Sequence, residues 1–360
     1  MNLLVPNLGS TSFKYQLIEM PGERVLAHGR AERVSDYAAA IAGIDTHGAA
    51  IDAVAFKAVH GGARYRGTYR IDDAIMDALR RLLPAAPAHN RIYLLGIEAF
   101  RAAMPHTSMV AAFETEFHRT MPRHASLYGV PRRWLEDGEV RRYGFHGASH
   151  QYVSERAPEI AGRPLPRLVS CHLGGSSSMC AIHDGRSVDT TMGFSPQSGL
   201  ENATRHGDLD AFAVLYMAER FHLSASQIRD ELAAGGGLAG ISGIEGGDIR
   251  DLEASSTEQA RTALDVFAYQ VKKTIGAYAA ALGGLDGIAF TGGIGENAAG
   301  LRRRILDGLE FLGAGLGEAN ESGSGDRVVS AADSPMTVVV LRTNEELVVA
   351  RRAYRLLTEG

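Results

Sequence analysis

Asn7-Leu8-Gly9-Ser10-Thr11-Ser12-Phe13-Lys14 decides the fold of this 360-residue chain. The apolar run Leu3-Leu4-Val5 before it reads as a strand, and Phe13 to Leu17 reads as the next. Between them, glycine and hydroxyl side chains form a polar turn that ends in a lysine. Such a turn either closes a plain hairpin or offers backbone N–H groups, Ser10, Ser12 and the Lys14 charge to an anion. It is not a Walker loop, because G-x-x-x-x-G-K-[ST] is absent.

A second copy of the plan lies about half a chain away. Leu168-Val169-Ser170-Cys171 leads into His172-Leu173-Gly174-Gly175-Ser176-Ser177, again a strand, a polar residue, Leu-Gly and a hydroxyl-rich turn. Two like loops suggest a duplicated unit, with both loops facing one anionic ligand between two lobes. A nucleotide's phosphate chain is the obvious candidate.

The bulk numbers allow this. The length suits two domains, each with its own core. A hydrophobic content of 45% and a charged content of 22% are ordinary for a soluble globular chain. A formal net charge of −5 argues against a nucleic-acid partner. No apolar run has membrane length and no basic-then-apolar signal peptide opens the chain; two cysteines in so long a chain read as reduced and cytosolic. The two cysteines, Cys171 and Cys180, make no disulfide framework and lack metal-ligand spacing.

Along the chain, Arg24 to His28 continues a meander, and Tyr37 to Ile44 reads as a small helix. Ile51 to Val59 reads as a strand that ends in the turn His60-Gly61-Gly62. Asp72 to Leu83 has helical apolar spacing. Ala88-His89-Asn90 reads as loop, and the helix after it as Ile92 to Ala103. Ser108 to Phe113 is a buried-type strand that delivers Glu114 and Thr115 at its C-terminal end, where open α/β sheets place ligand contacts. In Arg141-Arg142-Tyr143-Gly144-Phe145-His146-Gly147-Ala148-Ser149-His150, the two histidines lie a helical turn apart, but Gly147 argues for a turn packed on Phe145. Arg205 in Ala203-Thr204-Arg205-His206-Gly207-Asp208 reads either as a phosphate clamp or as a salt bridge to Asp208 or Asp210. Leu209 to Phe221 and Ala225 to Leu232 are helical. Ala234 to Gly247 is glycine-rich and runs into Asp248-Ile249-Arg250. Ala260 to Leu282 is the longest helix, with a core stripe and a Gly283-Gly284 stop. Gly287 to Thr291 is a strand entering Gly292-Gly293-Ile294-Gly295-Glu296-Asn297, a glycine turn before a helix that suits close approach of a nucleotide. Met336 to Leu341 is a strand, and Thr343-Asn344-Glu345-Glu346 starts a final helix. Gly293-x-Gly295-x-x-Ala298 also fits a loose dinucleotide fingerprint, but it lies late in the chain and leaves the two matched loops unexplained.

Together these motifs resemble the acetate and propionate kinase family, within the actin, hexokinase and Hsp70-like superfamily. The resemblance runs from Met1 to Arg352 through Asn-x-Gly-Ser-x-Ser-x-Lys, Val-His-Gly-Gly, Arg-Arg-Tyr-Gly-Phe-His-Gly-x-Ser-His, Cys-His-Leu-Gly, Thr-Arg-x-Gly-Asp-Leu-Asp, Gly-Ile-Gly-Glu-Asn and Thr-Asn-Glu-Glu-Leu. It implies an α/β fold of two duplicated ribonuclease H-like, actin-like lobes: 1–116 with 347–360 on the acyl and metal side, and 117–346 on the nucleotide side. It implies reversible transfer of the ATP γ-phosphoryl group to the carboxylate of acetate.

By the same resemblance, Asn7 and Glu345 match residues around Mg²⁺ (or Mn²⁺), and Lys14 matches an ATP contact. His172, Leu173, Gly174, Gly175 and Ser176 match the loop over the phosphates. Asp248, Ile249 and Arg250 match adenosine-side contacts, as do Gly293, Ile294, Gly295, Glu296 and Asn297. His146 and Arg205 match the pair on the transferring phosphoryl group. Glu114 falls where the family has a catalytic Asp, and Lys57 where it has a carboxylate-binding Arg. Val59, Phe145 and Pro196 match the pocket for the acyl methyl. A homodimer in the cytoplasm is also implied, with ATP/ADP and a small carboxylate as its ligands.

The departures cluster on the acceptor side. Lys57 exchanges a bidentate fork for a point charge, and Glu114 is one methylene longer than Asp. Ala88 stands where the family has leucine, which implies a larger acyl pocket. Gly175, Ala203 and His206 also differ. A propionate- or butyrate-type acceptor, or an ATP-binding protein that has lost the chemistry, are the alternatives these changes raise.

Overall fold

The computed structural model describes residues 1–9, 12–32, 34 and 36–359, with the side chains of Pro87, Ala88 and His89 outside the description. Twelve strands among the described residues form two six-stranded sheets. The first contains β1 (Asn2–Leu8), β2 (Ser12–Glu19), β3 (Arg24–Glu32), β4 (Ala53–Ala58), β5 (Thr68–Arg70) and β6 (Ser108–Phe113). The second contains β7 (Arg167–His172), β8 (Ser178–His183), β9 (Arg186–Thr190), β10 (Gly287–Thr291), β11 (Arg327–Val328) and β12 (Thr337–Val340).

The two sheets repeat one plan. Their orders are β3-β2-β1-β4-β6-β5 and, in reverse listing, β9-β8-β7-β10-β12-β11. In each, an antiparallel meander of three strands pairs in parallel with the fourth, then the sixth, and the fifth closes the edge antiparallel. The duplication suggested by the two loops is therefore carried by the whole sheet. The central strands are apolar on both faces. Leu3, Leu4, Val54, Ala55, Phe56, Val110 and Ala111 are fully buried in the first sheet, and Val169, Ile288, Ala289, Phe290, Val338 and Val339 in the second. Helices cover both faces, as a parallel core requires.

Five helices position the site: α1 (Pro87–Ala103), α2 (Gly147–Ala161), α3 (Glu258–Leu282), α4 (Gly292–Asn297) and α5 (Glu345–Glu359). The stripe Leu264, Phe267, Val271, Ile275 and Tyr278 of α3 packs into the core of the second sheet. Thr257 caps its start, and Gly283, at φ 68°, ends it. Helix α5 crosses back and buries Val349, Ala350 and Ala353 against Leu3, Val5, Ala55 and Val110 of the first sheet. The Asn344 carboxamide accepts from Leu347 N at 3.1 Å, which places Glu345 and Glu346 in the first turn, where negative charge meets the positive end of the helix dipole.

Three local expectations are corrected. Residues 88–90 are not loop: α1 begins at Pro87, where a proline without an N–H suits the first helical position. Asn90 is buried and donates to the carbonyls of His60 and Leu79, both at 3.1 Å. Gly147 does not make a turn. It opens α2, with His146 just before it in a left-handed conformation at φ 54°. Residues 292–297 are themselves helical and form α4.

Candidate active site

The loops at the C-terminal ends of β1, β4, β6, β7 and β10 bring the candidate residues together, as the rule for open α/β sheets requires. Asn7 lies near the end of β1 and Lys14 on β2, directly opposite it in register. The first loop is therefore a hairpin, and Lys14 is an exposed side chain on it. Ser12 starts β2, and its carbonyl accepts from Gly9 N at 2.8 Å. Ser10 lies outside the described residues, as does the side chain of Ala88.

Between the sheets, one lysine serves two carboxylates. Lys57, near the end of β4, donates to Glu345 at the start of α5, and its Nζ lies 3.6 Å from Glu114 at the end of β6. Burial would lower the Lys57 pKa, but the two carboxylates outweigh it and hold the ammonium well above its usual range. Burial would raise Glu345, yet Lys57 keeps it below the ordinary carboxylate value. Glu114 is the weaker partner. Burial pushes it up to about 7, with Lys57 opposing and Glu345 adding to the rise. Its Oε2 has no hydrogen-bond partner among the described residues.

Gly147 explains how α2 comes so near. A Cβ there would lie 2.0 Å from the Glu114 carbonyl oxygen, so only glycine admits the contact. The helix thereby starts against the Glu114 carboxylate, which a Gly147 backbone hydrogen bond helps to stabilise.

His146 stacks on His172, with ring centres 4.3 Å apart. Burial holds both imidazoles below their ordinary pKa and therefore neutral. A chain of hydroxyls orients them. His146 Nδ1 meets Ser178 Oγ at 2.8 Å, and its Nε2 meets Ser176 Oγ at 3.2 Å. His150 bridges Ser178 and Ser170, and Ser149 Oγ meets His172 Nδ1 at 2.7 Å. The two histidines of the Arg141–His150 block thus converge on one serine.

Arg205 donates to the Pro196 carbonyl at 2.7 Å. The salt-bridge alternative for it does not hold, since the Asp208 carboxylate accepts from Gly199 N at 2.8 Å and no acid pairs with Arg205 among the described residues. Burial pushes Arg205 down to about 10. Val59, Phe145 and Pro196, expected around the acyl methyl, are all buried.

Most of the residues expected on the nucleotide side line a cavity of about 610 Å³. Gly174, Gly175, Asp248, Ile249, Arg250, Gly293, Ile294 and Asn297 all face it. Leu173 and Gly295 build its wall instead: the buried Leu173 accepts from the N–H groups of Ile294 and Gly295, at 2.9 and 3.0 Å. Gly292 permits this crossing at φ 80°, where a Cβ would meet the Leu173 oxygen at 2.5 Å. Asp248 caps its short helix and pairs with Arg250, which draws its pKa down to about 2. Asn297 Nδ2 donates back to Gly293 O at 2.8 Å. Glu296, beside it, is raised by burial. Cys171 and Cys180 are buried and their thiols are pushed far up by that burial, so neither is a nucleophile.

Among the described residues no three His, Cys, Asp or Glu side chains form a metal cage. The Asn7 NH₂ donates to Glu346 at 3.0 Å, which leaves Oδ1 as the atom of that amide available to a cation. An amide oxygen and the Glu345 carboxylate, completed by phosphate oxygens and waters, fit Mg²⁺, which keeps several waters and takes one or two carboxylates. They do not fit a metal held by protein alone.

A model of the acetokinase family matches residues 38–351. The chain belongs to the acetokinase family. It is 42% identical to the acetate kinase of Caldanaerobacter subterraneus subsp. tengcongensis and 41% identical to that of Thermoanaerobacterium thermosaccharolyticum, each over 99% of both chains. Among solved structures, Porphyromonas gingivalis acetate kinase superposes with a TM-score of 0.87 at 34% identity, covering 99% of this chain and all of that one. A propionate kinase from Francisella tularensis gives 0.90 at 31% identity over 98% of each chain. Membership makes the chain a kinase of the carboxyl-group phosphotransferase type, and the duplicated sheets are the architecture of the family.

Sequence reasoning passed over His60, Arg352 and Glu346. His60 sat inside a recognised turn; it is buried, ring to ring with Tyr143 at 4.7 Å and Phe145 at 5.5 Å. Arg352 lies on the buried face of α5, where it bonds Gln151 and donates to the Phe113 carbonyl at 3.3 Å. No local signal marks it. The Asn-Glu-Glu triplet did contain Glu346, but spacing alone does not say which glutamate meets Asn7.

Proposed function

We propose that the chain catalyses reversible transfer of the ATP γ-phosphoryl group to acetate, giving acetyl phosphate and ADP. The observation that carries this is the convergence of Lys57, Glu114, His146 and Glu345 beside a cavity lined by Gly174, Asp248 and Gly293. ATP fills that cavity with its adenosine, with its phosphates toward His172 and Ser176. Asn7 and Glu345 would hold Mg²⁺, which would supply charge neutralisation on the phosphates.

The acceptor carboxylate is already ionised at neutral pH, so no strong base is needed. Positioning and cationic donors carry the reaction. Lys57 leaves Glu345 to meet the acceptor carboxylate while Glu114 keeps its Nζ in place. His146 and Arg205 donate to the equatorial oxygens of the transferring group. Val59, Phe145 and Pro196 enclose the acyl methyl. The lobes 1–116 with 347–360 and 117–346 close on the substrates, as kinase lobes do.

ATP-dependent acyl phosphate formation, trapped as the hydroxamate with formate, acetate, propionate, butyrate and isobutyrate, tests the reading. A maximum at acetate supports it. A maximum at three or four carbons moves the acceptor to a larger acid, and no product with any acid removes the activity.

The Glu114 carboxyl adds a pH signature. With its pKa at about 7 in the free protein, kcat/KM falls as pH drops through that value, because protonated Glu114 no longer holds Lys57. Glu114→Gln abolishes this limb of the profile. A profile that the substitution leaves unchanged would remove Glu114 from the mechanism.

A homodimer belongs to the same proposal. The helix Ala211–Phe221 has no buried residue and exposes Phe212, Leu215, Tyr216, Met217 and Phe221, an apolar face of the kind that subunit contacts cover. Phe212→Glu should shift the chain to monomer in sedimentation, and an unchanged distribution would place the contact elsewhere. No helix among the described residues is long and apolar enough to cross a membrane.

A further inference from the structure

Beyond the aromatic wall of the acyl side, arginines gather without salt bridges, while the acids near them, Glu116, Glu136 and Glu139, are engaged by other donors. Other arginines of the chain have acidic partners: Arg101 pairs with Asp73, Arg132 with Glu136, Arg142 with Asp189 and Arg352 with Glu116. Arg66, Arg119, Arg123 and Arg141 form no ion pair among the described residues.

Two of these four are not simply solvated. Arg66 lies over the Tyr143 ring at 5.5 Å and donates once, from Nη2 to the His118 carbonyl at 3.3 Å. Arg141 donates from Nη2 to Ser126 Oγ at 2.8 Å. The Nε atoms of both are buried and have no partner among the described residues. Burial, and then repulsion from Arg141 and Arg119, push Arg66 down to about 10. A half-buried guanidinium beside other cations, with its Nε–H unmet, is stabilised when an anion completes it. Arg141 also lines an adjoining cavity of about 700 Å³, with Arg123 and Arg132 on its rim and Met121, Leu127 and Leu135 as walls. Glu136 also lines that cavity, and its carboxylate is engaged by Arg132 at 2.6 Å.

We propose that Arg66, Arg119 and Arg141, with the cavity rimmed by Arg123, form a binding site for a small polyvalent oxyanion, separate from the phosphoryl-transfer cleft. Three guanidiniums match the planar, bidentate geometry of phosphate and carboxylate oxygens. The spread of the charges favours a molecule with more than one anionic group over a single monovalent ion. Through Tyr143, which touches His60, the site adjoins the aromatic cluster of the acyl side.

Titration calorimetry of the full chain with pyrophosphate and, separately, with citrate tests the site and tells a phosphate source from a carboxylate one. Saturable binding to the wild type is expected. It should weaken about tenfold or more in Arg66→Gln and Arg141→Gln, the scale of one charge-assisted hydrogen bond, and persist in Arg205→Ala, which marks the cleft. The exposed Arg119→Ala and Arg123→Ala variants, which leave the core intact, should weaken it too. Absence of binding to the wild type would overturn the proposal. So would binding that Arg205→Ala removes and the four cluster variants leave unchanged.

Discussion

Replacing Lys57 with methionine should lower the stability of the fold by about 3–5 kcal/mol, the usual cost of removing one member of a buried ion pair. The lysine is the shared counter-ion of Glu114, which is buried, and Glu345, whose side chain is 13% exposed, and both stay withdrawn from bulk water when it is gone. Glu114 is already raised to about 7 with the lysine in place. Without it, both folded-state pKa values lie above the unfolded one. The native state then binds more protons than the unfolded chain, so its stability falls as pH rises. Urea unfolding at acidic and at mildly alkaline pH checks this: the loss should be small in acid and full above neutrality. Lys57→Arg keeps the charge and should recover most of the stability. A Lys57→Met loss under about 1 kcal/mol above neutral pH would mean that water reaches the pair and that it is not a buried one.

Arg205→Ala should cost roughly 2–4 kcal/mol of transition-state stabilisation, or about one and a half to three orders of magnitude in kcat, the scale of one preorganised donor. Arg205 is held at Pro196 O by one hydrogen bond and has no acid beside it, so its remaining donors are uncommitted. Its removal leaves no buried charge uncompensated, so unfolding temperature should change little while hydroxamate production collapses. That split distinguishes it from Lys57, whose loss strikes the fold first. Near-normal turnover would show that the phosphoryl group is stabilised by other donors, with His146 the first to examine.

Much of the architecture was legible because local chemistry repeats over short spans. Apolar runs before polar turns marked β1, β4, β6, β7 and β10, and the α3 stripe marked the longest helix. The meander partners β8 and β9 were not marked, because Ser178–His183 and Arg186–Thr190 follow a glycine- and serine-rich loop that reads as irregular. Gly147 read as a turn because glycine is a poor helix former; its actual requirement is the close approach to Glu114, which is a tertiary contact. The cavity-lining residues were legible as well, since Asp248–Arg250 and Gly293–Asn297 each lie in one short segment.

What the amino-acid sequence determined by itself is the duplicated strand–turn plan and the family to which its motifs belong. Both rest on patterns a few residues long. The charge arrangement was decided only in three dimensions. Lys57 meets Glu345 across 288 residues, and Asn7 meets Glu346 across 339. Which carboxylate keeps its proton, which histidines are neutral and which arginines lack a partner all depend on burial and on neighbours far away in the chain. Electrostatic energy is set by distance and desolvation, and neither quantity is written in the order of the residues.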